Sequence, residues 1–236
     1  MRQIVAESPG ISEEVRRDFS RRADIAGSVL QTEHDETSSP LRIFTFSRVD
    51  ATTWLLARAI SLGIYRKGSH QLLVHGLLLS EEILDELEGN PLALDFLSQH
   101  ELDFSFQDTH PGFGQELEQM VLSREIAGQA RAYNRQRLES LRAADDAWLS
   151  HAYDQLAVGA RLACVSAHPR ASNLEALLLH LHPDDRLELS FHTFYSHSRA
   201  IDYRLIGVLA SDLSGIERQF RGLESTRVDQ PEPARR

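Results

Sequence analysis

With 236 residues, 42% hydrophobic and 25% charged, the chain can bury a sizeable core, and its composition excludes wholesale disorder. A formal charge of −10 argues against an extended phosphate-neutralising surface, because nucleic-acid binding needs clustered Lys and Arg. The single cysteine, Cys164, excludes an internal disulfide framework and a multi-cysteine zinc site, and it fits a reducing cytoplasm.

Residues 3–6 (QIVA) predict a short strand that Ser8-Pro9-Gly10 breaks. The opening turns polar too early for a signal peptide, and no apolar run is long enough to span a bilayer, so a soluble, cytoplasmic protein without membrane contact is expected. Ser12 is a helix N-cap, with Glu13 and Glu14 against the positive end of the dipole and Val15, Phe19 and Ala23 as one apolar stripe. A polar loop follows at 32–40. LRIFTFSRV at 41–49 alternates as a strand with Phe44, Phe46 and Arg48 on one face, and a further strand is expected near 71–79.

Ser80, Glu81 and Glu82 start a helix that carries Ile83, Leu84 and Leu87 and stops at Gly89. Asn90-Pro91 opens another short helix through Leu97, and Phe104 and Phe106 suggest a brief strand. Helices are expected at about 115–127 and 140–158. RLACVSA (161–167) reads as a buried strand, Ser172 with Glu175 as a capping box before LEALLLHLH, and RLELSFHTFY (186–195) as an alternating strand. That order makes a βαβ unit with parallel strands, and 203–210 adds one more strand. The expected fold class is α+β or mixed α/β. It comprises an N-terminal module at 1–112, a helix-rich module containing the βαβ unit at 113–221, and a disordered polar tail at 222–236.

Two arginine groups, Arg16, Arg17, Arg21 and Arg22, and Arg131, Arg135, Arg137 and Arg142, lie among acids on helical segments. They read as solvated faces, with docking of an acidic partner or nucleic acid as the minor alternative. The βαβ loop His168-Pro169-Arg170-Ala171-Ser172 lacks both G-x-G-x-x-G and a P-loop lysine, which leaves Arg170 as the residue to test for anion binding. No cofactor is implied.

Eleven histidines raise the question of a metal, and spacing answers it. His70 and His75 are five apart, which sets them on opposite faces of a strand, or about 140° apart on a helix. His192 and His197 repeat that spacing. His180 and His182 would share a face only in a strand, in a segment that reads as helix. With no H-E-x-x-H either, no metal site is expected.

Ser69, Ser47 or Cys164 could serve as nucleophile with His75 as base and Asp50 or Asp108 as the acid. No G-x-S-x-G elbow accompanies them, and Cys164 lies in an apolar strand where a thiol is inert. His75 interrupts two leucine-rich runs, and a buried ring there needs a hydrogen-bond partner, with Tyr65 and Ser47 as neighbours to consider.

QIVAESPGISEEV, FSR at 46–48, Tyr65 with Gly68 and the run to His75, Asn90-Pro91-Leu92-Ala93-Leu94, and RLELSFHT at 186–193 occur in this order. Together they resemble the N-terminal and middle regions of the bacterial GTPase-associated proteins, over nearly the whole chain. The pattern departs where Arg66-Lys67 precedes Gly68 in place of a glycine-rich turn, and where Phe194 stands in place of a glycine. Relatives also carry a strand before the QIVA-like segment and a further C-terminal region, which implies a trimmed or degenerate member.

The resemblance implies a non-enzymatic adaptor or regulatory component with protein partners, a small GTPase among them, in a bacterial system such as conflict or defence. It carries over no catalytic residue. The alternative is a hydrolase or small-ligand-binding domain with a pocket lined by Arg48, Tyr65, Ser69 and His75. That alternative requires these side chains to converge.

Overall fold

The computed structural model describes residues 6–22, 42–65, 69–98, 115–116, 122–144, 147–167, 171–195, 203–220 and 222–228. The first half runs β1 (Ala6–Glu7), α1 (Glu13–Arg22), β2 (Arg42–Arg48), β3 (Thr53–Tyr65), β4 (Ser69–Ser80), α2 (Glu81–Glu86) and α3 (Ala93–Ser98). Then come β5 (Gln115–Glu116), α4 (Arg124–Ala144), α5 (Ala147–Ala157), β6 (Arg161–Ser166), α6 (Ala171–His180) and α7 (Pro183–Leu187). The chain closes with β7 (Phe191–His192), β8 (Leu205–Leu209), α8 (Leu213–Gln219) and β9 (Leu223–Arg227). Among the described residues no helix is long and apolar enough to cross a membrane.

Seven strands make one mixed sheet in the order β4-β3-β2-β7-β8-β6-β9, while β1 and β5 pair separately. The mixed α/β class expected from the sequence is the one observed. β2, β3 and β4 form an antiparallel meander, and β7, β8, β6 and β9 run parallel to one another. The segments expected as two modules meet in this sheet, where Thr45 pairs with His192 and Phe46 with Phe191.

Both faces of the sheet are covered, which explains the near-continuous apolar runs in its strands. On one face Phe44, Phe46, Leu162, Cys164 and Leu205 join α3, α4, α5 and α6 in the largest core. On the other, Ala163, Val165, Ile206 and Val208 pack with Ile216 of α8, and Ile43, Ala57 and Ala59 pack with Phe19 of α1. The α6 crossover moves from β6 across β8 to β7, and the α8 crossover moves from β8 across β6 to β9. Crossovers of one hand that travel in opposite directions must lie on opposite faces, and these two do.

Local signals account for several helix starts. Ser12 Oγ accepts from Val15 N–H at 3.2 Å, Ser80 Oγ from Ile83 N–H at 3.4 Å, and Ser123 Oγ from Ile126 N–H at 3.2 Å. Gly207 in β8 is required by closeness of packing: a Cβ there would stand 2.2 Å from the Thr193 carbonyl oxygen.

Several expectations are corrected. The alternation at 186–195 yields only the two-residue β7, because Pro183 with Asp184 and Asp185 starts α7 and draws Arg186 into a helix. β6 and β7 are parallel as expected, but β8 lies between them. The helix expected at 115–127 begins at Arg124, after the β5 pair, and continues to Ala144 where a second helix was expected to begin at 140. β3, thirteen residues long, is a strand beyond those expected from the sequence.

Ser172 is not a cap: it lies inside α6, and the Glu175 side chain turns into the core. Residues 223–227, expected within a disordered tail, form β9 against β6 because Thr226 and Val228 bury there. The strand expected at Phe104–Phe106, the loop at 32–40, Asp108 and Arg170 lie outside the described residues.

Candidate functional site

The backbone positions of Arg48, Tyr65, Ser69 and His75 are spread along the β2–β3–β4 meander. Along the β3 ladder Arg48 pairs with Trp54, His75 with Arg58, and Ser69 with Tyr65. At about 3.3 Å per residue these stations lie roughly 13 Å and then roughly 23 Å apart. Arg48 instead holds the β2–β3 turn. Its Nε donates to the Asp50 carbonyl at 3.0 Å, its Nη2 donates to that of Ala51, and its guanidinium lies 4.9 Å from the Trp54 ring centre. In the same turn Thr52 N–H donates to Asp50 Oδ1 at 2.9 Å and holds that carboxyl below its usual range.

His75 is half-buried on β4 at the end of the sheet, not enclosed in its centre. Ser47 is on β2, with β3 between, and the Tyr65 backbone pairs with Ser69, six residues along β4 from His75. Cys164 is fully enclosed, and burial pushes its thiol up to about 12. Neither a serine-histidine nor a cysteine-histidine nucleophile pair is assembled from these candidates. Among the described residues no three His, Cys, Asp or Glu side chains gather to hold a metal.

The polar residues that do converge stand at the turn after α2. Glu88 and Gly89 take positive φ values of 53° and 69°, which swings the chain into Asn90. Three elements hold this turn. From α4, Asn134 Nδ2 donates to the Leu87 carbonyl at 2.9 Å and to Glu88 Oε2 at 3.3 Å. From α7, the buried Arg186 donates to the carbonyls of Leu179 and Leu181, both at 3.0 Å, and to that of Glu88. From α6, Glu175 Oε1 accepts from Asn90 Nδ2 at 3.1 Å, and the same amide donates to Asn134 Oδ1 at 2.8 Å.

Glu175 is only 4% exposed. Tyr133 Oη donates to its carboxylate at 2.8–2.9 Å, and Arg137 Nε lies 3.7 Å from Oε2. Burial raises its pKa, while the Asn90 and Tyr133 hydrogen bonds and Arg137 pull the other way. The Tyr133 hydroxyl is raised by burial and by the adjacent carboxylate, and its ring stacks on Phe96 of α3 at 4.0 Å. Asp95 on α3 holds Arg42 at 3.2 Å and Arg58 at 3.6 Å, which extends the polar layer to β2 and β3.

This junction could have been suspected from the chain. Glu175 is the one charged residue of ASNLEALLLH, and Asn134 falls on the apolar stripe Ala127-Ala130-Leu141 of α4. Each lone polar group in an apolar setting requires a partner, and these two find each other through Asn90. The arrangement acts as a clamp: each carboxylate oxygen and amide proton involved is engaged by a neighbour in the same core.

On the opposite face His192 is 2% exposed, and the rings of Tyr195 and Tyr203 meet it edge-on at 5.5 and 5.3 Å. Its Nδ1 accepts from Phe194 N–H at 3.2 Å, which places the neutral ring's proton on Nε2. Burial lowers its pKa to about 3, so the ring stays neutral through the ordinary pH range. Compared with known proteins, the chain matches no family model, no curated protein and no solved structure.

Proposed function

We propose that the chain is a non-enzymatic adaptor or regulatory component, working through protein contacts in a bacterial GTPase-associated system such as conflict or defence. The observation that carries this reading is the fate of the polar groups. Those expected to form a pocket are strung along the β2–β3–β4 meander, and the carboxylate that does gather partners, Glu175, is engaged by Tyr133, Asn90 and Arg137. A hydrolase needs nucleophile, base and orienting group within hydrogen-bond reach of one another and of substrate. The family resemblance supplies the kind of partner. The formal charge of −10 favours encounter with a basic protein face.

The test uses the full chain and purified proteins: a small GTPase loaded with GDP or a GTP analogue, and the products of adjacent genes, measured by biolayer interferometry. Saturable binding to at least one of them, weakening as salt rises, is expected. Absence of binding to every one of these, in both nucleotide states, overturns the reading.

A further inference from the structure

We propose that one buried water joins His192, Thr45 and Ser47 across the seam between β2 and β7, where the two halves of the sheet meet. Among the described residues, His192 Nε2, Thr45 Oγ1 and Ser47 Oγ are all enclosed, and none of them has a hydrogen-bond partner within the protein. Thr45 is 0% exposed, His192 2% and Ser47 4%. A bare polar group in such a setting is costly, and several on neighbouring positions of one short ladder call for a shared partner.

The strands bring these groups to one place. Phe44 and Phe46 belong to the largest core, so Thr45 and Ser47, which alternate with them, lie on the opposite face with Ile43. Phe191 also belongs to the largest core, and His192 therefore faces the other way, with the rings of Tyr195 and Tyr203 edge-on to it. Thr45 stands directly opposite His192 in the ladder. Thr193 N–H donates to the Phe44 carbonyl at 2.9 Å, which makes Thr45–His192 a pair of the non-hydrogen-bonded kind, in which facing side chains come closest. Cβ atoms so opposed lie about 4.5–5.5 Å apart, a span that a water bridges with two hydrogen bonds of about 2.8 Å each. Ser47, two residues along the same face of β2, supplies a third contact, the usual number for an internal water.

The chemistry of the groups selects water over an ion. Nδ1 of His192 accepts from Phe194 N–H, so Nε2 carries the proton and can only donate, whereas each hydroxyl donates or accepts. The occupant must accept from the ring. A cation cannot do so, and an anion would be enclosed with only neutral groups to hold it. Water accepts from Nε2 and exchanges hydrogen bonds with both hydroxyls, which adds cross-strand links where β7 contributes only two residues to the pairing.

The full chain is tested in solution by oxygen-17 magnetic relaxation dispersion, which counts long-lived internal waters, and by a crystal structure fine enough to show ordered water. Wild type should hold one such water more than Thr45→Val, a change that keeps the side-chain shape and removes the hydroxyl. Electron density should place that water within about 3.2 Å of both His192 Nε2 and Thr45 Oγ1. Urea titration of Thr45→Val should show the folded-to-unfolded ratio lowered about two- to tenfold, as the loss of one bridged hydroxyl requires.

Equal water counts in the two chains overturn the proposal, and so does a seam without density for a water between these side chains. A Thr45→Val chain as stable as wild type, or more stable, overturns it too, because removing a buried hydroxyl that has no partner relieves the cost of burying it.

Discussion

Replacing Glu175 by alanine removes the acceptor at the centre of the junction. Tyr133 Oη loses both carboxylate oxygens, and Asn90 Nδ2 keeps only Asn134. The buried Asn90 amide is left without this acceptor at about 1–3 kcal/mol, and the half-buried Tyr133 hydroxyl, which water can reach, adds less, so a loss of roughly 1–4 kcal/mol is expected. Arg137 is part-exposed and is rehydrated, so its separation adds little. Against a stability of about 5–15 kcal/mol for a folded domain, this is a large fraction. Glu175→Gln keeps one acceptor and should lose less.

Urea unfolding gives the free energies, and adding Tyr133→Phe to Glu175→Ala should cost less than the sum of the single changes. The pH dependence carries a sign of its own. Burial raises the folded pKa, so as pH climbs the unfolded chain loses its proton first, and the contribution falls from about pH 4.3 upward until the folded group has ionised. Wild type should therefore lose stability relative to Glu175→Gln as pH rises through that window. A Glu175→Ala variant within about 0.5 kcal/mol of wild type, on the scale expected of an inconsequential surface change, would refute the clamp.

Three further outcomes follow from the packing and titration of single residues. Gly207→Ala should cost several kcal/mol in thermal melts, because its Cβ would press on the Thr193 carbonyl, whereas Gly128→Ala, with open space around it in α4, should gain about 0.5–1 kcal/mol. For His192 the folded pKa is below the unfolded value near 6.5, so protonation favours unfolding. Below that pH wild type should lose about 1.4 kcal/mol per pH unit relative to His192→Gln, levelling near pH 3, and nitrogen NMR should find the proton on Nε2. Cys164 should resist a thiol reagent at pH 8 in the native chain and react at once in denaturant; prompt native labelling would contradict its enclosure.

The elements most legible in the sequence are those with strong local chemistry. Ser12 and Ser80 cap the helices they were expected to start, and the apolar runs at 42–48, 161–166 and 205–209 are strands. β3 was harder to see because it is buried at Trp54–Ile60 without alternation, and Arg58 interrupts it. That arginine is tolerated because Asp95 on α3 reaches it. Glu175 matched a capping-box pattern, yet its position is set by Tyr133 and Asn90, each more than forty residues away in the chain.

By itself the sequence determined many of the segments that bury apolar surface, though not β3, together with the mixed class of the fold and the single thiol, because composition, periodicity and capping act within a few residues. Only the tertiary structure decided the partners. It inserted β8 between β6 and β7, joined the two halves at the β2–β7 pair, set Arg48, His75 and Tyr65 at separate stations of the β2–β3–β4 meander, and drew Glu175 together with Asn90 and Asn134. Strand order and buried hydrogen-bond partners arise from contacts across long sequence separations, and local patterns constrain those only weakly.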